Sequence, residues 1–169
     1  MDKSRIALIS TGGTIEKTYN ILAGVLTNEV SVLEIMIARL QLEGVELERI
    51  SLMNKDSLDM TAADHDLIAE TAIEQAGLCD GVVIVHGTDR LTRTGDHICQ
   101  LEPDPKVPII LTGAMRPYAL RTTDALQNLT EAFLAAQLAE PGIYVAMHNR
   151  LLAFPGVEKD LDRGTFTKP

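Results

Sequence analysis

The sequence predicts an α/β domain in three layers, a mostly parallel sheet with helices on both faces. Three observations carry that expectation. Near-continuous apolar runs of strand length recur at residues 6–9, 81–85, 107–111 and 143–147, the pattern of strands buried on both sides. Between them lie longer segments whose apolar residues return every three or four positions, as on one face of a helix. Polar clusters, three of them containing glycine, follow the strands at residues 11–14, 56–59, 87–89 and 113–116. They fall at the carboxyl edge, where open parallel sheets hold their ligands.

The elements follow in order. After the first strand and its Thr11-Gly-Gly-Thr14 turn, Ser31 and Glu34 have the form of a capping box; Val32, Met36 and Leu40 continue a helix that Gly44 stops. Val45, Leu47, Ile50 and Leu52 alternate imperfectly and read as a second strand over residues 45–53. Thr61 with Asp64 opens the next helix, which turns Ile68, Ala72, Ile73 and Ala76 inward and stops at Gly77. Gly81–Val85 is the clearest buried strand. Leu91–Leu101 is a shorter helix closed by Pro103 and Pro105, and residues 107–111 form the next strand. From Thr122 or Thr123 a long helix carries Leu126, Leu129, Phe133 and Ala136 on one face and ends before Pro141; residues 143–147 are the last strand. Residues 148–169 contain Pro155-Gly156 and give no firm secondary-structure signal. No repeat or linker divides the chain, so residues 1–169 are expected to form one domain.

Composition narrows the function. A chain of 169 residues, 46% hydrophobic, can bury a real core. A net charge of -9 argues against nucleic-acid and anionic-membrane partners, which need clustered Lys and Arg, and favours a small-molecule substrate. The apolar run near the N-terminus is too short for a signal-peptide core and no stretch approaches the ~20 apolar residues of a membrane span, so a cytoplasmic location is expected. Cys79 and Cys99 lack CxxC spacing and read as reduced thiols. His65, His86, His97 and His148 show no HExxH pairing, so no metal is expected. The Gly12-Gly13-Thr14 turn has neither the GxGxxG nor the Walker spacing, which disfavours a nucleotide; no cofactor is expected.

The crevice at the carboxyl edge offers Thr14 and Thr88, each beside glycine backbone N–H groups, with Asp89 and Ser57 as polar anchors. A hydroxyl nucleophile, N–H donors for an oxyanion and a carboxylate for an ammonium suggest acyl transfer on an amino-acid-like molecule. Taken alone, the first turn serves equally as a strand-to-helix turn with Thr14 as a helix cap.

Thr11-Gly-Gly-Thr-Ile15, His86-Gly-Thr-Asp89 and Gly113-Ala-Met-Arg-Pro117, joined by Asp56-Ser-Leu-Asp-Met60, resemble the bacterial-type L-asparaginase/glutaminase family. The resemblance covers essentially the whole chain and matches the N-terminal domain of the usual member, whose smaller C-terminal domain is absent from this sequence. It implies the flavodoxin-like/Rossmann-like fold of that domain and hydrolysis of L-asparagine to L-aspartate and ammonia through a threonine acyl-enzyme. By resemblance, Thr14 is the nucleophile, Tyr19 its loop partner, and Thr88, Asp89 and Lys159 the second catalytic group. The substrate's ammonium pairs with Asp89, and its carboxylate with Ser57 and backbone N–H groups around Asp56 and Gly87. Ala114 lines the wall near the leaving amide, and the backbone of Gly13 and Thr88 is expected to hold the oxyanion. Tyr19, with an ordinary pKa near ~10, and Lys159 both need an altered setting to act as bases, so which group deprotonates which threonine stays open. His86 and Arg116 are read as structural.

Two departures from the family bear on activity. Leu58 stands where many members carry a polar residue that holds the substrate's α-groups, which predicts weaker binding and little or no glutaminase activity. The missing second domain supplies part of a neighbouring site in the usual members, so a homo-oligomer is expected to cover the crevice. A non-catalytic asparagine-binding module and the ammonia-generating part of an amidotransferase are the alternatives.

Overall fold

The computed structural model describes residues 3–169. The elements run β1 (Ser4–Gly12), β2 (Thr18–Asn20), β3 (Val25–Thr27), α1 (Leu33–Ile37), β4 (Val45–Lys55), α2 (Ala62–Ala76), β5 (Gly81–Val85), α3 (Leu91–Leu101), β6 (Pro108–Thr112), α4 (Ala125–Leu138), β7 (Gly142–Met147), β8 (Arg150–Ala153), β9 (Glu158–Asp160) and β10 (Thr165–Thr167). The main sheet has the order β4-β1-β5-β6-β7-β8. Its first five strands are parallel, and β8 turns back antiparallel at the edge. Strand order reverses between β1 and β5, the switch point at which doubly wound sheets form their crevice.

Alternation along each strand divides the interior in two. Ala7, Ile9, Val82, Ile84, Ile109, Leu111, Ile143 and Val145 face one way, under α2 and α3. Ile6, Leu8, Val83, Val85 and Ile110 face the other, under α1 and α4. Both sides of the central strands are therefore sealed, and their apolar runs need no polar alternate.

The Thr61–Asp64 capping box forms as expected. The one expected at Ser31 does not: its hydroxyl donates to Glu16 instead, Glu34 pairs with Arg49, and α1 is a single short stretch rather than a helix reaching Gly44. The long helix α4 begins at Ala125, after Thr123 and Asp124, whose side chains tie down the loop before it. The unassigned tail also has structure. Its β8 strand closes the sheet, and β9 and β10 form a hairpin anchored by Val157 and Phe166 in the core under α3. A second hairpin, β2–β3, stands beyond the first turn.

Glycines lock the carboxyl-edge loops together. A Cβ on Gly12 would lie 2.4 Å from Lys55 N, one on Gly13 2.5 Å from Gly87 Cα, one on Gly87 2.6 Å from Ser57 Cβ, and one on Gly113 2.3 Å from His86 O. Those contacts are backbone against backbone or against a buried side chain. They join the ends of β1, β4, β5 and β6 into one rim. Gly13 also holds φ 83° and ψ -177°, a conformation essentially closed to other residues. We expect Gly13→Ala to lower stability by at least ~2 kcal/mol, and Gly156→Ala, at φ 86° with nothing within 4 Å, by about 1 kcal/mol. Urea unfolding checks the pair; equal costs would show that crowding against Gly87 is not what excludes a side chain at Gly13.

Candidate active site

The expected site residues gather on this rim, on the two sides of the contact between Gly13 and Gly87. Thr14 opens a 3-10 turn, Thr14–Glu16, directly after Gly13. Thr88 follows Gly87 on the opposite side of the contact, buried at the end of β5. Thr11 braces the turn from below, its hydroxyl donating to Val85 O at 2.8 Å. A 3-10 turn this short with no side-chain cap leaves Thr14 without a capping duty.

Thr88, Asp89 and Lys159 are brought together from positions 70 and 71 residues apart. Lys159 Nζ donates to Thr88 Oγ1 at 2.9 Å and to Asp89 Oδ1 at 2.7 Å. The β9–β10 hairpin sets this reach: Lys159 stands opposite Phe166, which is fixed in the core.

The remaining expected residues fall less simply. Tyr19 is 62% exposed on β2, its hydroxyl 4.0 Å from where a Cβ on Gly24 would stand, so it leans over its own hairpin turn. The structure gives it no hydrogen bond to Thr14. Asp56 is paired with Lys17 at 2.5 Å; burial alone would push its carboxyl up, but the Lys17 hydrogen bond, the Leu58 N–H and the Lys17 charge hold it below the usual range. Ser57 is 1% exposed beneath Gly87, its Oγ accepting from Arg90 N at 3.3 Å. Ala114 is fully buried in the core under α4, so its methyl packs inward rather than lining an open wall. The Gly13 N–H already donates to Lys55 O at 2.8 Å and does not stand free for an oxyanion. The Thr88 N–H donates to no backbone carbonyl among the described residues.

Several residues of the site region were not singled out by the sequence. Asn28 donates to Gly13 O at 2.8 Å and tethers the end of the β2–β3 hairpin to the turn. Glu16, 1% exposed, accepts from Ser31; burial pushes its carboxyl up against the pull of that bond and of the Leu33 and Gly12 N–H groups. Asp124 accepts from Met115 N and Arg116 N at 3.0 Å each and pairs with His148 at 2.7 Å, while Asn128 donates to Gly113 O at 2.9 Å. The loop after β6 is thereby held from below. His148 also reaches Thr165 at 2.9 Å, tying that loop to the hairpin that carries Lys159.

Comparisons with known proteins bear on the fold and the family. The family model described as Asparaginase, N-terminal, matches residues 5–162. An L-asparaginase of Thermococcus kodakarensis is 31% identical over 157 residues, 92% of this chain and 47% of its own length. A glutamyl-tRNA(Gln) amidotransferase subunit of Haloquadratum walsbyi is 33% identical over 145 residues, 85% of this chain and 33% of its own length. Among solved structures, the thermostable L-asparaginase from Thermococcus kodakarensis superposes with a TM-score of 0.84 at 28% identity, covering 97% of this chain and 51% of that one. A probable cytoplasmic L-asparaginase from Campylobacter jejuni gives 0.77 at 29% identity, covering 99% of this chain and 52% of that one. The chain spans about half the length of the asparaginases, 47% of the first, and about a third, 33%, of the amidotransferase chain. It belongs to the asparaginase family, and its fold is that of the family's N-terminal domain.

Proposed function

We propose that the chain hydrolyses L-asparagine to L-aspartate and ammonia through an acyl ester on Thr14. The observation that carries this reading is the Thr88–Lys159–Asp89 group, assembled across the Gly13–Gly87 contact from Thr14. Thr14 Oγ adds to the side-chain amide carbon and the carbonyl oxygen takes up negative charge. The C–N bond then breaks, and the nitrogen leaves as ammonia, having gained one proton to balance the one lost from Thr14. Water adds to the ester, the bond to Thr14 Oγ breaks, and the hydroxyl regains its proton as aspartate departs.

Lys159 acts in this cycle first as a donor. Its partner Asp89 is a carboxylate, and the ammonium that completes that ion pair cannot accept a proton. Thr88 accepts from Lys159 and keeps its own hydrogen to donate, so the pair suits delivery of a proton to the leaving nitrogen. Asp89 Oδ1 is engaged by Lys159, which leaves Oδ2 for the substrate's ammonium. Tyr19 serves the other proton step when the β2–β3 hairpin folds over the crevice. The α-carboxylate falls to the backbone N–H groups around Asp56 and Gly87, with Ser57 packed beneath Gly87 supporting that loop. No metal or other cofactor enters the scheme. The structural neighbour described as a probable cytoplasmic L-asparaginase supports a cytoplasmic site of action. Among the described residues no helix is long and apolar enough to cross a membrane.

The hairpin also motivates a homo-oligomer. Its tip exposes Ile21 at 81% and Leu22 at 94%, with Val25 and Leu26 beside them. A second copy laid over this apolar tip covers it and walls the crevice. A second reading rests on the amidotransferase relatives: ammonia generated here is consumed by a partner protein rather than released.

Thr14→Ala is expected to lower ammonia release from asparagine at least ~10⁴-fold, and Lys159→Gln at least ~10²-fold, in a coupled assay on purified protein. Undiminished turnover in Thr14→Ala excludes it as nucleophile, and release that starts only when a partner protein is added selects the second reading. With Leu58 exposed where a polar anchor is expected, the specificity constant for asparagine should exceed that for glutamine by at least about tenfold; equal constants contradict this. Light scattering should give the mass of a dimer or larger, and Leu22→Asp should shift it toward monomer. A monomer at assay concentration removes the second copy from the site.

A further inference from the structure

Behind the crevice three buried side chains form a chain that the scheme above does not use. His86 Nδ1 lies 2.8 Å from Gly87 O, His86 Nε2 lies 2.8 Å from Thr94 Oγ1, and Thr94 Oγ1 lies 2.6 Å from His65 Nδ1. His86 and Thr94 are fully buried and His65 is 2% exposed. The two imidazoles stack with centroids 6.1 Å apart and planes inclined by 19°. His65 comes from α2, Thr94 from α3 and His86 from the end of β5, so both helices of that face converge on the Gly87 peptide.

The partners fix where each hydrogen sits. A carbonyl oxygen only accepts, so His86 Nδ1 carries the hydrogen of the bond to Gly87. His86 is neutral, its pKa pushed down to about 4 by burial and by the neighbouring His65, against the pull of the Gly87 bond. Its Nε2 is then a lone pair and accepts from the Thr94 hydroxyl. That spends the one hydroxyl hydrogen, so Thr94 Oγ accepts from His65 Nδ1–H. Every hydrogen points toward Gly87. At the far end His65 Nε2 is buried with no hydrogen-bond partner among the described residues, so the chain stops there. An aligned row that ends in the interior polarises and orients; it does not conduct protons to solvent.

The group it acts on is the peptide joining Gly87 to Thr88. A hydrogen bond accepted by a peptide carbonyl draws charge through the C–N bond and strengthens the N–H of the same peptide as a donor. That N–H belongs to Thr88, expected to hold the oxyanion. We propose that His86, Thr94 and His65 are positioning residues: a one-directional hydrogen-bond relay that fixes the plane of the Gly87–Thr88 peptide and sharpens its N–H for the oxyanion. This rests on the amidohydrolase reading. It gives His86 a role in the reaction beyond the structural one assigned from the sequence.

Two measurements test the relay. In wild-type protein, long-range ¹H–¹⁵N spectra of the imidazoles should show the Nδ1–H tautomer on both His86 and His65; an Nε2–H tautomer on His86 overturns the relay without any variant. In Thr94→Val, which keeps the shape and removes the hydroxyl, kcat for asparagine should fall at least about tenfold with KM within about twofold, a part of the ~10²–10³ that losing a whole oxyanion donor costs. The Thr88 amide proton should move upfield, and Thr94→Ser should restore both kcat and that resonance. A folded Thr94→Val with wild-type kcat overturns the relay and leaves the amidohydrolase reading standing. Wild-type protein that releases no ammonia from either amide overturns that reading, and the relay's part in catalysis with it.

Discussion

Backbone pressed against backbone at the carboxyl edge of the sheet is the constraint on which the rest depends. Parallel strands end in loops with no reason of their own to meet. Here Gly12, Gly13, Gly87 and Gly113 remove the Cβ atoms that would keep them apart, and four loops close into one rim. The consequence is chemical as well as mechanical. Two threonines from distant parts of the chain stand on either side of one glycine contact. Thr11 and Thr112, each donating to a neighbouring strand or loop carbonyl, hold the strands beneath that rim in register.

A closed rim orders positions but supplies no charge, and the tail provides it. β9 and β10 carry little apolar surface, yet Phe166 and Val157 seat the hairpin in the core, and Lys159 is the residue between them that points back to Thr88. Phe154 packs against Gly95, where a Cβ would lie 2.3 Å from its ring, and pins the start of the tail to α3. Residues at the end of the chain thereby serve a site begun at residue 11.

Much of this architecture is legible in the residues alone. Buried central strands announce themselves because both faces are apolar, and glycine with threonine behind two of them marks the crevice. What escapes is short and half-exposed. The two hairpins share one turn: Asn20 Oδ1 accepts from Leu22 N and Ala23 N and Gly24 follows at φ 69°, while Asp160 Oδ1 accepts from Asp162 N and Arg163 N and Gly164 follows at φ 59°. An Asx residue with glycine four positions on is a readable signal, but strands of three residues give alternation too little length to register. The capping box at Ser31 misleads for another reason. Ser31 keeps one half of the pattern, its Oγ accepting from Leu33 N at 3.4 Å while its hydrogen goes to the buried Glu16, but Glu34 turns away to Arg49 and the reciprocal half never forms. The Arg49 that draws Glu34 away lies on β4, a tertiary partner that leaves no local trace.

The two halves of the crevice differ in how finished they are. On the Thr88 side the working groups are held from behind: Lys159 by Asp89, the Gly87 carbonyl by His86, and the loop after β6 by Asp124 and Asn128. On the Thr14 side, Tyr19 leans on its own hairpin and the neighbouring apolar tip stands in solvent. Preorganisation costs nothing at the moment of reaction when it is built into the fold, whereas a group on an exposed hairpin must be brought in each time. Under the proposed function, specificity comes from what closes the unfinished side. If a second copy of the chain does so, substrate selection and assembly become one property, because the surface that buries Leu22 is the surface that brings Tyr19 over Thr14.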